Sequence, residues 1–255
     1  MPTLPRATEG LTVLYEDDAL LVVDKPAWLV VHRGLRNDRD TLVGRVRRRL
    51  GVRTVHPVHR LDRQTSGVLV FARDAAAAAV LRRSFEAGEV HKAYWALVRG
   101  RAPERAVVER PVPAGPGGPR VPARTRIRRL AFARIEPREV SLVACYPESG
   151  RYHQLRRHLR HLDHPILLDA NYGPTRLNRA FRERWGLSRL MLHAWSLSLP
   201  HPVTGERLRW CAPLPASFLE PLRAMGCLPP KDLLHEAEVH PAQASPVLAE
   251  PPADA

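Results

Sequence analysis

Lysine is nearly missing from this chain. Lys25, Lys92 and Lys231 are the only three, although Lys and Arg together number 40. Cysteine is equally sparse, and Cys145, Cys211 and Cys227 are far apart, odd in number and without metal-type spacing. That excludes a disulfide scaffold or a cysteine-based zinc module, and fits reduced thiols in a cytoplasmic protein. No apolar run approaches the ~20 residues needed to cross a bilayer, so no membrane partner is expected. Met1-Pro2-Thr3-Leu4-Pro5-Arg6 carries no apolar signal core. A Gly-x-Ser-x-Gly elbow is absent too, which weighs against a serine hydrolase.

Acidic residues number 26 against the 40 basic ones, so the net charge is +14 and the pI is near 10.9. Such an excess points to a polyanionic partner, most simply nucleic acid. Arginine's planar fork suits phosphates and stacks on bases. Drift in a GC-rich genome, which enriches Arg, Ala and Pro, is the competing explanation. At 255 residues the chain can form one large domain or two small ones, with a substantial core.

The most informative stretch is His56-Pro57-Val58-His59-Arg60-Leu61-Asp62-Arg63-Gln64-Thr65-Ser66-Gly67, which runs into Val68-Leu69-Val70-Phe71-Ala72. The second half is an apolar run of strand length and predicts a buried strand. The first half is a polar loop closing on turn formers. A loop feeding a buried strand fixes side chains at the lip of a rigid sheet. Asp62 is its only carboxylate, with Arg60 and Arg63 close by. Neighbouring cations favour the ionised form, so Asp62 can serve as nucleophile or general base. A surface aspartate in an ordinary ion pair is the plainer alternative.

The remaining pattern predicts an α+β fold with a largely antiparallel sheet. Residues 1–10 are expected to be flexible. Thr12 to Glu16 and Ala19 to Asp24 form a hairpin, and Asp40 caps a helix bearing Leu42, Val43, Val46 and Leu50. Arg45, Arg47, Arg48 and Arg49 make its other face basic, suited to phosphates or merely to solvent. Asp74 caps an alanine-rich helix ending near Gly88, and Val90 to Val98 alternates as a strand. Proline and glycine crowd 100–123, read as an irregular insertion. Thr125 to Ala133 and Val140 to Tyr146 are a further strand pair.

A helix follows from about His153 to Asp163, with Leu155, Leu159 and Leu162 as its buried stripe. Arg156 lies on the border of that stripe, from which a guanidinium can reach a carboxylate on a neighbouring loop. Arg189 to Leu199 and Arg207 to Ala212 are strands, Pro215 to Met225 a short helix, and 227–255 a disordered tail rich in Pro, Ala and acids. His56, His59 and Asp62, and His158, His161 and His164, repeat at threefold spacing, but the arginines between them would repel a cation. No metal site is expected.

Several motifs then occur in one order. They are Tyr15-Glu16-Asp17-Asp18 with Val23-Asp24-Lys25-Pro26, His59-Arg60-Leu61-Asp62 with Thr65-Ser66-Gly67, Lys92-Ala93-Tyr94, Gly150-Arg151-Tyr152-His153-Gln154-Leu155-Arg156, His164-Pro165-Ile166 and Leu192-His193-Ala194. In this the chain resembles the RluA-type pseudouridine synthases over roughly Leu11 to Ala212. The resemblance implies one catalytic domain, about 11–226, that isomerises uridine in RNA without cofactor or metal. It implies Asp62 as the catalytic aspartate, Tyr94 as the tyrosine stacking on the target base, and Arg156 as the partner of the aspartate. Leu192, or alternatively Leu190, would pack the base from the other side. Arg60 would help displace the target nucleotide, and Lys92, Arg151, His153 and His193 carry over as substrate contacts.

Trp28-Leu29-Val30-Val31-His32-Arg33, Arg176-Leu177-Asn178-Arg179 and Gly186-Leu187-Ser188-Arg189-Leu190-Met191-Leu192 are similar to the branch acting on uridine 65 of tRNA. That makes tRNA the expected partner and 23S rRNA the alternative, with no obligate protein partner. A non-catalytic RNA-binding or chaperone module is the rival of another class. Arg45, Arg48, Arg49, Arg157, Arg160, Arg176 and Arg179 are the expected backbone contacts. The chain departs from the family pattern at Ser149, where Thr is usual, and at Leu168, where Gly is usual before Asp169.

Overall fold

Two apolar runs broken by Asp17-Asp18 pair as the expected hairpin, β1 (Thr12–Glu16) and β2 (Leu20–Lys25). The Asp17 carboxylate closes the turn by accepting from the Ala19 and Leu20 amides. The computed structural model describes residues 10–33 and 38–238, with side chains as far as 235. The N-terminal stretch expected to be flexible therefore lies outside the described residues, Gly10 excepted.

Helix α1 (Leu42–Leu50) is capped one residue later than expected. Thr41 Oγ1 accepts from the Gly44 amide, a bond worth about 1 kcal/mol. Asp40 instead forms an ion pair with Arg45. The chain continues through β3 (His56–Pro57), β4 (Ser66–Ala72), α2 (Ala75–Glu86) and β5 (His91–Arg99). Asp74 caps α2 through the Ala77 amide. The segment read as an irregular insertion holds β6 (Arg105–Val108), β7 (Val112–Pro113) and β8 (Arg120–Val121). β6 extends the main sheet by pairing with β9 (Thr125–Ala133), while β7 and β8 form a separate hairpin. Apart from Pro113, which is within β7, its Pro and Gly residues sit at the hairpin tip and between the strands, so density of turn formers concealed short strands.

Then come β10 (Val140–Pro147), α3 (Gln154–His161), α4 (Thr175–Trp185), β11 (Leu192–Pro200), β12 (Arg207–Cys211), α5 (Ala216–Ala224) and α6 (Lys231–Glu238). α4 is not apparent in the sequence pattern, because only Phe181 of its residues is buried. α6 falls in the stretch expected to be disordered. Leu233 anchors it to the main core, whose partly buried fringe includes Leu228.

The architecture is α+β, with a ten-stranded sheet in the order β1-β2-β4-β11-β5-β10-β9-β6, β12 pairing with β11 and β3 with β4. Among the strands of the described residues, only β4 and β11 pair in parallel. β4 is buried along its whole length because both of its faces are covered. Val68, Val70 and Ala72 pack with Ala78 and Leu81 of α2, and Leu69 and Phe71 pack with Leu42 and Val46 of α1. The parallel pair meets where Gly67 faces Ala194. A Cβ on Gly67 would stand 2.1 Å from the Ala194 carbonyl oxygen, so only glycine allows these strands to approach.

Candidate active site

The loop entering β4 and the loop entering α3 face each other across the centre of the sheet. Between them lies a cavity of about 290 Å³ lined by Arg60, Leu61, Asp62 and Thr65, by Tyr94 of β5, by Leu192 of β11, and by residues of the 147–156 loop. The tip of the β7–β8 hairpin (Ala114, Gly115, Pro116) closes one side. Asp62 is at the turn before β4, where its carbonyl accepts from the Thr65 amide. Its carboxylate takes a 3.0 Å hydrogen bond from Arg156 Nη1 and lies 3.6 Å from His153 Nε2.

Arg156 is buried on the border of the α3 stripe, and from there it reaches the neighbouring loop as the spacing predicted. Its other edge is held by a residue that sequence reasoning did not select. Asp169, with 0% side-chain exposure, takes Arg156 Nε and Nη2 at 2.7 and 2.8 Å. Asp169 is fixed in turn by the Asn171 and Tyr172 amides. Burial opposes the charge on Arg156, but the bonds and charge of Asp169, then of Asp62, outweigh it and raise the pKa above the usual guanidinium range. One guanidinium edge is thus locked, and the remaining N–H is aimed at Asp62. Asp169→Asn would replace one acceptor by an NH2 group facing the guanidinium. We expect kcat to fall about 100-fold, the scale of a 1 Å misplacement, with KM little changed. Steady-state kinetics check this, and a wild-type kcat would contradict it.

Leu168, just before Asp169, has φ +58. That is the left-handed region in which glycine is unstrained, and it accounts for the glycine usual at this place in the resembled family. Ser149, the other departure, keeps the loop intact. Its hydroxyl donates to Gln154 Oε1 at 2.7 Å, which also accepts from the Arg151 amide. Gln154 is buried, and its Nε2 donates to the Arg124 carbonyl and Thr125 Oγ1.

Tyr94 and Leu192 line the cavity, an aromatic face and an aliphatic one. Burial, then the negative charge of Asp62, raises the Tyr94 phenol above its ordinary value. Tyr94 therefore presents an aromatic face whose phenol is held in its protonated form. His153 is the residue before α3, at φ +52. It stacks on Tyr152 with ring centroids 3.9 Å apart and is bonded through Nδ1 to the Tyr172 hydroxyl. Burial, only partly offset by Asp62, lowers its pKa. Arg60 is exposed at the cavity lip, and Arg151 lines the opposite rim.

Three residues expected to contact substrate do not line this cavity. Lys92 donates to the Ser149 carbonyl at 3.2 Å and steadies the loop, with burial lowering its pKa to about 8. Leu190 is buried, and its amide donates to Gln64 Oε1. His193 is wholly buried in a chain of bonds in which Arg189 Nη1 donates to Ser66 Oγ at 2.7 Å. Because the Ala212 carbonyl can only accept from Nε2, His193 Nδ1 must accept the Ser66 hydroxyl proton. Motif membership here marks a structural strut.

Burial, together with the Arg189 charge, pushes the His193 pKa down to about 3. The folded value is depressed, so this group's contribution is complete above the unfolded pKa of about 6.5 and is lost as pH falls toward 3. Denaturant stability should therefore drop steadily below pH 6.5, and less steeply in His193→Gln. Equal slopes would contradict the assignment.

Five of the seven arginines expected to meet the RNA backbone are held by acids of the protein. Arg45 and Arg48 meet Asp40, Arg49 meets Glu16, Arg160 meets Asp163, and Arg179 meets Glu183. Arg157 stacks over Tyr152 and Tyr172, and Arg176 is exposed. Among the described residues no group of three His, Cys, Asp or Glu side chains could hold a metal ion, and no helix is long and apolar enough to cross a membrane.

The cavity thus brings a buried basic side chain to a partly exposed carboxylate and adds one aromatic and one aliphatic lining residue. The family described as RNA pseudouridylate synthase matches residues 19–161, and the chain belongs to that family, in its RluA-type branch. It is accordingly an enzyme of the class that isomerises uridine in RNA. Its relatives include proteins named tRNA pseudouridine synthase C. That of Yersinia pestis is 39% identical over 226 residues, covering 80% of this chain and 88% of the relative. That of Pasteurella multocida is 36% identical over 229 residues, covering 82% and 94%. Among solved structures, human RNA Pseudouridylate Synthase Domain Containing 1 superposes with a TM-score of 0.69 at 28% identity, covering 92% of this chain and 97% of that one.

Proposed function

We propose that this chain converts uridine 65 of tRNA to pseudouridine, with Asp62 as its catalytic carboxylate. The observation that carries the reading is the Asp62–Arg156 contact at 3.0 Å, in the cavity that Tyr94 and Leu192 also line. The names of the relatives support tRNA as the substrate, and the motifs around Trp28, Arg176 and Gly186 support the position.

The reaction breaks N1–C1′ and forms C5–C1′, while C5 loses a proton and N1 gains one. The product has the composition of the substrate, so the stoichiometry needs no oxidant or co-substrate. Asp62 acts on the extruded nucleoside either by bonding to C1′ or by taking a sugar proton on the way to a glycal. Arg156 stabilises and aims the carboxylate in both cases. Tyr94 and Leu192 hold the uracil while it turns. Extrusion from a stem costs a few kcal/mol, and Arg60 at the cavity lip is placed to offset part of it.

Mapping pseudouridine by a specific adduct in RNA from a deletion strain tests the substrate. Loss at tRNA position 65 is the expected result, and loss only in 23S rRNA would overturn it. Binding should also be salt-dependent, since exposed ion pairs such as Arg48–Asp40 are worth at most about 1 kcal/mol and phosphates can replace the acids. With four phosphates neutralised, raising salt from about 50 to 200 mM should cost roughly 100-fold in affinity. A flat response in filter binding would reduce the +14 charge to compositional drift.

A further inference from the structure

Four large hydrophobic side chains are exposed among the described residues, and Trp28 is the only aromatic one, at 52% exposure beside Val52, Val107 and Val203. None of the other four tryptophans is exposed. Trp95, Trp195 and Trp210 are buried, and Trp185 is half-buried and donates to the Glu136 carbonyl. Trp28 is also strained, at φ +71, a conformation bulky side chains avoid. Neither burial nor backbone preference accounts for a tryptophan here.

The turn that carries it is rigid and belongs to the catalytic loop. Lys25 is fully buried, and its Nζ donates to the Pro26 carbonyl at 2.9 Å, the Leu29 carbonyl at 2.7 Å and the Arg63 carbonyl at 3.2 Å. One ammonium thus clamps both ends of the Trp28 turn to the residue next to Asp62. Downstream, the carbonyls of Val30 and Val31 accept from the first amides of α1. The surroundings are basic. Arg60 and Arg47 lie close enough to His32 to add to the effect of burial in lowering its pKa. An exposed ring on a turn anchored to the catalytic loop, in a segment that also carries the cation-flanked His32, is the form of a base-stacking platform.

We propose that Trp28 stacks on an unpaired or partly unstacked nucleobase of the RNA substrate, next to the uridine held over Asp62. The ring would replace the stacking partner that a neighbouring base loses when the uridine leaves the helix. This rests on the reading of the chain as an RNA-modifying enzyme and adds a specific contact to it.

The test uses the full-length protein, an unmodified tRNA transcript and three forms of residue 28. Binding of wild type should quench tryptophan fluorescence. W28G suits the left-handed backbone, so it should fold with an unreduced Tm, bind roughly 10-fold more weakly, within the range for lost base stacking, and lose the quench. W28F retains a ring and should bind within about threefold of wild type while losing the quench. Equal affinity of W28G and wild type, or an undiminished quench in W28F, would overturn the proposal, as would no quench with any RNA. A ring serving a protein or membrane contact would give the first of those results. The substrate reading fails separately, if wild type forms no pseudouridine in tRNA. The same variants are then compared on the 23S rRNA in which it does, and equal kcat/KM for W28G and wild type would again overturn the stacking role.

Discussion

Asp62→Asn is expected to abolish turnover while leaving RNA affinity within about twofold of wild type. The substitution removes the negative charge of the proposed catalytic carboxylate with almost no change of volume. Losses of roughly 10⁴-fold or more are usual when a catalytic group of this kind is deleted. Arg156 would keep its bidentate bond to Asp169, so the site should not collapse, and the remaining Oδ1 can still accept from Arg156 Nη1. Under the proposed function, binding rests on contacts to phosphates and stacked bases and not on this carboxylate. Single-turnover assays with filter binding separate the two effects. Turnover near the wild-type rate would remove Asp62 from the chemistry, whereas equal loss of binding and turnover would make it a structural residue.

Gly67→Ala is expected to prevent the protein from reaching a stable fold. The added Cβ would meet the Ala194 oxygen at 2.1 Å, its carbonyl carbon at 2.7 Å and its nitrogen at 2.8 Å, with φ at +117. These are backbone atoms at the only parallel junction of the sheet among the described residues, so no rotamer change relieves the overlap. Separating β4 from β11 would displace Asp62, in the turn leading into one strand, and Leu192 on the other. A cost of about 4 kcal/mol or more is of the exceptional kind, a large share of a typical domain's total stability. Gly51→Ala is the control. Gly51 also has positive φ, yet nothing lies within 4 Å of its Cβ position, so it should cost only about 1 kcal/mol. Denaturant melts of both variants decide the matter, and a Gly67→Ala protein as stable as Gly51→Ala would contradict the packing argument.

What the sequence displays is chiefly local. The apolar run after Gly67, the Asp74 cap and the position of Arg156 on the α3 stripe are patterns of one element, and each is legible by eye. What it conceals depends on distant partners. Asp169 is a single carboxylate without local emphasis until the fold brings it under Arg156. The strand β6 is four residues that mean little without β9 beside them. His193 and Lys92 stand in the same motifs as Asp62 and Tyr94, and nothing in spacing distinguishes a strut from a substrate contact. Arg45 and Arg49 are basic by sequence but paired by geometry, with acids supplied from the preceding loop and from β1. Thr41 displaced Asp40 as the cap because Arg45 competes for the Asp40 carboxylate.

The central claim is that a guanidinium-held carboxylate isomerises uridine in RNA. It is tested most directly by incubating the protein with a tRNA transcript carrying tritium at C5 of uracil and counting tritium released to water. Release reaching one equivalent per tRNA, abolished in Asp62→Asn and accompanied by pseudouridine at position 65, is the expected result. An unmodified transcript that keeps all of its tritium while bound to folded wild-type protein would contradict the claim.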